Sequence, residues 1–365
     1  MQENAFRAHQ TSASSYLNHS FHPLPALHGG PDALGVPAWD LSTNANACGP
    51  YVPAVQALRE ADARHYPDPA YIQLSVQLAA WHHVAPERIV LAASGSEFIQ
   101  RISTAVALHA AAAGQGAGQV WLPAHAYGDY ARAAHASGLH PTPDAPRAAL
   151  LWACEPSSPL GQPDASLPAL AAALQPGQTL VLDQAYAPLR LSGTCALAAA
   201  TLDSVWRLIT PNKALGLTGV RAAYAIAPAQ ADSALLARVQ ALSPSWPVGA
   251  HGVALLQHWA SIAAHDWLHE CRATLRQWKT RQTALLAGLG WQVLPSDANF
   301  FVAAPTRQTG ANGLFDLKNL LPALRARGIK LRDCASFGLP GHVRLAVVAP
   351  EGQDALVEAL KAWPC

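Results

Sequence analysis

Val205-Trp206-Arg207-Leu208-Ile209-Thr210-Pro211-Asn212-Lys213-Ala214-Leu215-Gly216-Leu217-Thr218-Gly219-Val220-Arg221 begins as an apolar strand and gives out at a single lysine. It offers an amine nucleophile, a hydroxyl three residues before it, small flexible residues after it and a guanidinium eight residues on. A lysine amine attacks only when unprotonated, a form that burial and nearby positive charge favour. An amine that must form a Schiff base with an aldehyde cofactor needs this company. Thr210 and Arg221 are candidates to bind a cofactor phosphate, the arginine through a bidentate fork. Taken one lysine at a time, a surface lysine after a strand is the commoner arrangement. This chain has few lysines, however, and this one follows an apolar run.

The flanking sequence alternates. Helical segments are predicted at 53–62, 70–83, 96–113, 128–137, 165–174 and 230–242, with β-like runs at 88–92, 118–122, 149–154, 179–183, 204–209 and 222–226. Runs apolar enough to be buried on both faces, separated by helices, predict an α/β fold with a mostly parallel sheet covered by helices. Pro244-Ser245-Trp246-Pro247 breaks the pattern. A helical stretch at 250–289, two helices or one bent, comes next, then strand-like 290–294 and 299–302. A helix near 316–328, strand-like 329–333 and 342–347 and a helix near 351–362 complete the chain. On this reading an irregular N-terminal arm (1–50) packs on a small α+β C-terminal domain (246–365), and a large domain (51–245) lies between them.

In open α/β sheets ligands sit beyond the carboxyl ends of the strands. The run Thr179-Leu180-Val181-Leu182 ends in Asp183, with Tyr186 three residues later. A carboxylate emerging from an apolar strand needs a cationic partner. A protonated pyridine nitrogen is one, and Tyr186 is then placed to reach the ring's phenolic oxygen; Asp183 also reads as the cap of a turn. Ser94-Gly95-Ser96-Glu97 joins a strand to a helix, where free amides and the helix dipole attract an anion. An ordinary N-cap explains the same residues equally well. Tyr127 is a candidate to stack on a cofactor ring, and Glu155-Pro156-Ser157-Ser158-Pro159-Leu160-Gly161 is a rigid turn by composition. Arg332 and Arg344 sit in or at the end of strand-like runs, and no acidic residue adjoins Arg344. A substrate carboxylate or phosphate is their candidate partner, a solvated sheet edge the alternative.

Composition narrows the classes. Apolar residues make up 51% of the 365 and charged residues 13%, enough for a large core and too apolar for disorder. A net charge of +1 argues against nucleic acid and anionic membrane as partners. No apolar run of transmembrane length and no secretory leader pattern is present, which points to the cytoplasm. Cysteines at 48, 154, 195, 271, 334 and 365 lack metal-site spacing, and the sixteen histidines offer only His82-His83 as a close pair. Reduced thiols are expected, and no metal.

As an ordered set these motifs resemble fold-type I pyridoxal-phosphate enzymes of the class I/II aminotransferase superfamily, from about residue 28 to 362. The resemblance implies that Lys213 carries the pyridoxal 5'-phosphate, that Asp183 meets its pyridine nitrogen and Tyr186 its phenolic oxygen. It places the phosphate on Gly95, Ser96, Thr210 and Arg221, the stacking ring on Tyr127 and the substrate carboxylate on Arg344. Tyr66, in His65-Tyr66-Pro67-Asp68-Pro69, looks like the tyrosine that crosses a homodimer interface to the neighbouring cofactor. Ser158 stands where the family has an asparagine on the phenolic oxygen, so that hydrogen bond is expected to be lost or carried by water.

Two subgroups compete. Histidinol-phosphate aminotransferases share the Tyr-Pro-Asp-Pro stretch. The opening His28-Gly29-Gly30, the run Asp40-Leu41-Ser42-Thr43-Asn44-Ala45-Asn46 and the late Arg332-Asp333-Cys334-Ala335-Ser336-Phe337-Gly338-Leu339 look more like threonine-phosphate decarboxylases of cobalamin biosynthesis. That likeness implies a lyase taking L-threonine O-3-phosphate to aminopropanol phosphate, with Arg332, Arg344, His28 and the backbone near Asn46 on the substrate. An aminotransferase is the alternative, and a non-catalytic binding protein on the same fold is a third reading.

Overall fold

The computed structural model describes residues 28–114, 116, 118–306 and 317–363. Residues 1–27 of the expected arm, and the first residue of the helix expected near 316–328, lie outside them. The first part of the chain holds β1 (Trp39–Asp40), α1 (Val52–Glu60), α2 (Ile72–His82), β2 (Ile89–Ala92), α3 (Gly95–Ala112), β3 (Gln119–Trp121), α4 (Gly128–Ala136) and β4 (His140–Pro141). It continues through β5 (Leu150–Cys154), α5 (Leu167–Ala172), β6 (Thr179–Asp183), α6 (Ala199–Leu202), β7 (Trp206–Ile209), β8 (Ala223–Ile226) and α7 (Ser233–Ala241). Then come α8 (Ala250–Trp259), α9 (Ile262–Gly288), β9 (Trp291–Val293), β10 (Phe300–Pro305), α10 (Leu317–Ala326), β11 (Ile329–Lys330), β12 (Arg332–Asp333), β13 (Val343–Ala346) and α11 (Pro350–Lys361).

A 7-stranded sheet has the order β2-β8-β7-β6-β5-β3-β4. Strands β4, β3, β5, β6 and β7 run parallel, while β8 is antiparallel to both β7 and β2. Every residue of β2, β5, β6 and β8 is buried, because helices cover both faces. Trp152 of β5 and Tyr130 of α4 are fully buried and stacked 4.3 Å apart. Cys154, Asp183 and Leu208 are register partners, so three parallel strands finish side by side and deliver their loops to one edge.

A second, antiparallel sheet has the order β12-β13-β10-β9. Strand β1 pairs in parallel with β11, Trp39 opposite Ile329. The helical stretch expected at 250–289 is two helices: the chain turns at Ala260, and the Ser261 hydroxyl caps α9 by accepting from the Ala264 amide at 3.3 Å. The strand-like stretch 329–333 divides into β11 and β12, which serve different sheets. Strand β4 and helix α6 have no counterpart in the sequence reading, being too short to carry a period.

Gln282 of α9 joins the helix to the end of β13. It is 1% exposed, its amide donates to the Ala346 carbonyl at 3.0 Å, and its oxygen accepts from the Val348 amide at 3.1 Å. Truncation leaves both backbone groups buried without partners. Gln282→Ala is expected to lower the unfolding free energy by about 2 kcal/mol, read as an earlier midpoint in urea. An unmoved midpoint would mean that the bridge carries no stability.

Candidate active site

Asp183 closes β6 with 6% exposure. The buried Tyr130 hydroxyl donates to Oδ2 at 2.7 Å and the Ala185 amide to Oδ1 at 2.9 Å. Burial raises this carboxyl above the usual range, while the Tyr130 and Ala185 hydrogen bonds and the Lys213 charge pull it back. The carboxylate therefore borders a cleft of about 540 Å³ with its position set by two donors.

At one end of that cleft lies an anion cradle. Helix α3 starts at Gly95, with Ser94 as its cap accepting from the Glu97 amide at 3.1 Å. A Cβ on Gly95 would stand 2.9 Å from Thr210 Cγ2, so only glycine lets the helix start this close to the end of β7. Thr210 is 8% exposed, and its buried hydroxyl has no hydrogen-bond partner. Arg221 is exposed at the cleft wall and makes no ion pair with a described residue. An orphaned hydroxyl, a helix N-terminus and an unpaired guanidinium suit a phosphate.

Lys213 is half-buried at the cleft wall with Nζ 5.3 Å from the centre of the Tyr186 ring. Its loop is held by the Asn212 side chain, which accepts from the Lys213 amide at 3.0 Å and donates to the Thr218 carbonyl at 3.3 Å. Tyr186 packs edge-on against Phe300 and receives the Asn44 amide at 3.5 Å. Tyr127 lines the opposite wall, its hydroxyl 3.4 Å from Ser96 Oγ.

The cleft lining also carries two buried cations. Arg332 of β12 and Arg344 of β13 are direct cross-strand partners, 8% and 6% exposed. Burial, and after it the Arg344 charge, lowers the Arg332 pKa. Arg332 donates to Ser336 Oγ at 2.7 Å. Arg344 donates to Ser158 Oγ at 3.2 Å and to the Ser42 carbonyl at 3.0 Å, and its buried Nε has no partner. No carboxylate lies within ion-pairing distance of Arg344 among the described residues. His28 reaches this region because Gly29 packs on Ser42, where a Cβ would stand 2.1 Å from the Ser42 carbonyl oxygen. Its ring lies 5.9 Å from that of Tyr127, and Nε2 is 3.9 Å from Asp129 Oδ1.

Residues 140–360 match the family described as Aminotransferase class I and II. A histidinol-phosphate aminotransferase of Ruegeria pomeroyi is 30% identical over 350 residues, covering 88% of this chain and 90% of its own. The chain belongs to the class I and II aminotransferases. The solved histidinol-phosphate aminotransferase of Sinorhizobium meliloti, in complex with pyridoxal-5'-phosphate, has a TM-score of 0.73 at 21% identity, over 94% of this chain and 99% of its own. The L-threonine-O-3-phosphate decarboxylase of Porphyromonas gingivalis has a TM-score of 0.69 at 21% identity, over 88% and 98%. The fold is thus the fold-type I arrangement, and pyridoxal phosphate is the cofactor of this aminotransferase-family site. The residues present fit it: the orphaned Thr210 hydroxyl at the cradle, the buried Asp183 and the uncommitted Lys213 amine.

Most sequence-derived candidates of this aminotransferase-family chain meet in that cleft: Gly95, Ser96, Tyr127, Ser158, Asp183, Tyr186, Thr210, Lys213, Arg221, Arg332, Arg344 and His28. Two do not. Asn46 is not at the cleft wall; its amide donates to the Ala214 carbonyl at 3.0 Å and its oxygen accepts from the Cys48 amide at 3.1 Å. It is occupied in clamping the Lys213 loop. Tyr66 is 76% exposed and stacks on Trp246 at 4.3 Å, outside the cleft of its own chain. Ser158, whose hydrogen bond to the phenolic oxygen is expected to be lost or carried by water, lines the cleft and accepts from Arg344 at 3.2 Å. The sequence reading overlooked Tyr130, whose only signal is its spacing three residues after Tyr127 on α4. It also overlooked Asp129 and Arg132, paired at 2.7 Å on the cleft wall.

An acid whose folded pKa lies above its unfolded value adds stability at low pH and loses that contribution as pH rises through the folded value. Cofactor-free protein at pH 7 therefore gains nothing from an ionised Asp183. Asp183→Asn is expected to melt no lower than wild type when cofactor-free, yet to lose roughly 100-fold or more in activity with cofactor supplied. A cofactor-free variant that melts well below wild type would assign Asp183 a structural role instead.

Proposed function

We propose that this chain catalyses amino transfer on a small amine bearing a phosphate ester, of the histidinol-phosphate kind. The observation that carries the reading is the Arg332–Arg344 pair: two buried guanidiniums, opposite one another across β12 and β13, face the cleft. A pair of fixed guanidiniums matches a dianion in charge and in fork geometry. Relatives at 27–30% identity over most of the chain carry the histidinol-phosphate aminotransferase name, which puts amino transfer ahead of the decarboxylation expected from the sequence.

Pyridoxal phosphate, when bound, supplies an electron sink for the bond broken at the substrate's α-carbon. Gly95, Ser96, Thr210 and Arg221 hold its phosphate, and Tyr127 covers its ring. Lys213 Nζ would be the amine that holds it and, when free, the base that takes a proton from the substrate's α-carbon and returns it. Asp183, aimed by Tyr130 and Ala185, holds the pyridine nitrogen's proton. Tyr186 donates to the phenolic oxygen. Arg332 and Arg344 would hold the dianionic end of the substrate and fix its orientation in the cleft.

Decarboxylation of L-threonine O-3-phosphate is the second reading, favoured by the Gly29–Ser42 packing that brings His28 to the cleft and by the likeness to the Porphyromonas gingivalis decarboxylase. The two part in one experiment with purified protein and pyridoxal phosphate. Glutamate formed from histidinol phosphate and 2-oxoglutarate supports amino transfer. Carbon dioxide released from L-threonine O-3-phosphate without a keto acid would replace it with decarboxylation. Lys213→Ala is expected to remove the visible absorbance of the attached cofactor and to cut turnover roughly 1000-fold or more. An unchanged spectrum would place the cofactor elsewhere.

The same reading makes the enzyme a homodimer in the cytoplasm, with Tyr66 reaching the neighbouring chain's cofactor phosphate. Tyr66→Phe is then expected to weaken cofactor affinity by roughly 10-fold without changing the mass seen in solution. Equal affinity would remove Tyr66 from the site.

A further inference from the structure

A thiol pair lies behind the Lys213 loop, outside the cleft. Cys48 is half-buried and follows directly on the segment that clamps that loop. The clamp consists of the Asn46 amide on the Lys213 carbonyl at 2.9 Å, the Asn46 side chain on the Ala214 carbonyl at 3.0 Å and the Tyr51 amide on the Leu215 carbonyl at 3.0 Å. Cys271 is buried on the inner face of α9. The Cys48 thiol sits 3.7 Å from the Cys271 carbonyl oxygen, which sets the two cysteines side by side. No other chemistry of the protein uses either sulfur.

We propose that Cys48 and Cys271 are a site of reversible oxidation, forming a disulfide that staples the clamp on the Lys213 loop to α9. The two sulfurs differ in a way that suits the reaction. The neighbouring Cys48 lowers the Cys271 pKa to about 7, against burial, with the Asn46 side chain adding to the effect. Cys271 is therefore the thiolate that attacks and Cys48 the thiol that resolves. With hydrogen peroxide as oxidant, the Cys271 sulfur attacks one peroxide oxygen; the O–O bond breaks, one water leaves and a sulfenic acid remains. The Cys48 sulfur then attacks the Cys271 sulfur, the S–O bond breaks and a second water carries off the Cys48 proton. Two thiols are oxidised by one electron each, and one peroxide is reduced to two waters. A dithiol reductant reverses the step.

Joining residues 223 positions apart constrains the unfolded chain strongly, so the oxidised form melts at higher temperature. It also holds the Lys213 loop against opening. Both effects are independent of which substrate the cleft takes. The test uses full-length protein loaded with pyridoxal phosphate, treated with hydrogen peroxide and digested without reduction. A peptide linking Cys48 to Cys271, a melting temperature raised by several degrees and cofactor release on dilution slowed at least about threefold are expected. All three should vanish with dithiothreitol and in Cys48→Ser, which loses one sulfur and keeps the fold, as its unchanged melting temperature in reductant will show. Separate, unlinked peptides after treatment, or Cys271 carried on to a sulfinic acid beside an intact Cys48, would overturn the assignment. A linked peptide with unchanged cofactor release would overturn the staple.

Discussion

A carboxylate at the end of a buried strand is the constraint on which this protein is arranged. Asp183 sits where β5, β6 and β7 end together, and burial alone favours its neutral form. Two donors, the Tyr130 phenol and the Ala185 amide, keep it in place without neutralising it. A cation on the cleft side would make its charge favourable. The fold thus holds a site that is costly when empty and favourable when filled, a common way of coupling a cofactor to its protein.

Parallel strand ends explain why residues far apart in sequence meet. The β2–α3 junction carries Gly95 and Ser96, the loop after β3 carries Tyr127, and the β6 and β7 ends carry Asp183, Thr210 and Lys213. The antiparallel sheet closes the other side with Arg332 and Arg344. Arg344 joins the two bodies of structure: it contacts Ser158 on the turn after β5 and the Ser42 carbonyl on the strand-like segment after β1. A serine at position 158 is short enough to leave room for that contact. The Ser158 hydroxyl is thereby spent on orienting Arg344.

The cofactor-binding residues serve amino transfer and decarboxylation alike, because both withdraw electrons from the same carbon into the same ring. On the proposed reading, specificity rests on Arg332 and Arg344. His28, Asp129 and Arg132 also line the cleft, with Asp129 3.9 Å from His28 and 2.7 Å from Arg132.

Sequence alone determined the α/β alternation and singled out Lys213, Asp183, Gly95, Ser96 and Thr210, all of which line the cleft. Those depend on local signals: apolar runs that end in one polar residue, and small residues where a backbone must come close. Tyr130 was illegible, because a fully buried tyrosine between an aspartate and an alanine reads as core until the strand end it touches is known. The partners of Asn46 and Ser158 were illegible for the same reason, since a side chain's partner across more than a hundred residues is decided by packing. Only the tertiary structure set Arg332 opposite Arg344, put Ser158 under an arginine and brought the thiols of Cys48 and Cys271 together. Strand register and helix packing govern those meetings, and neither is encoded in any single stretch of the chain.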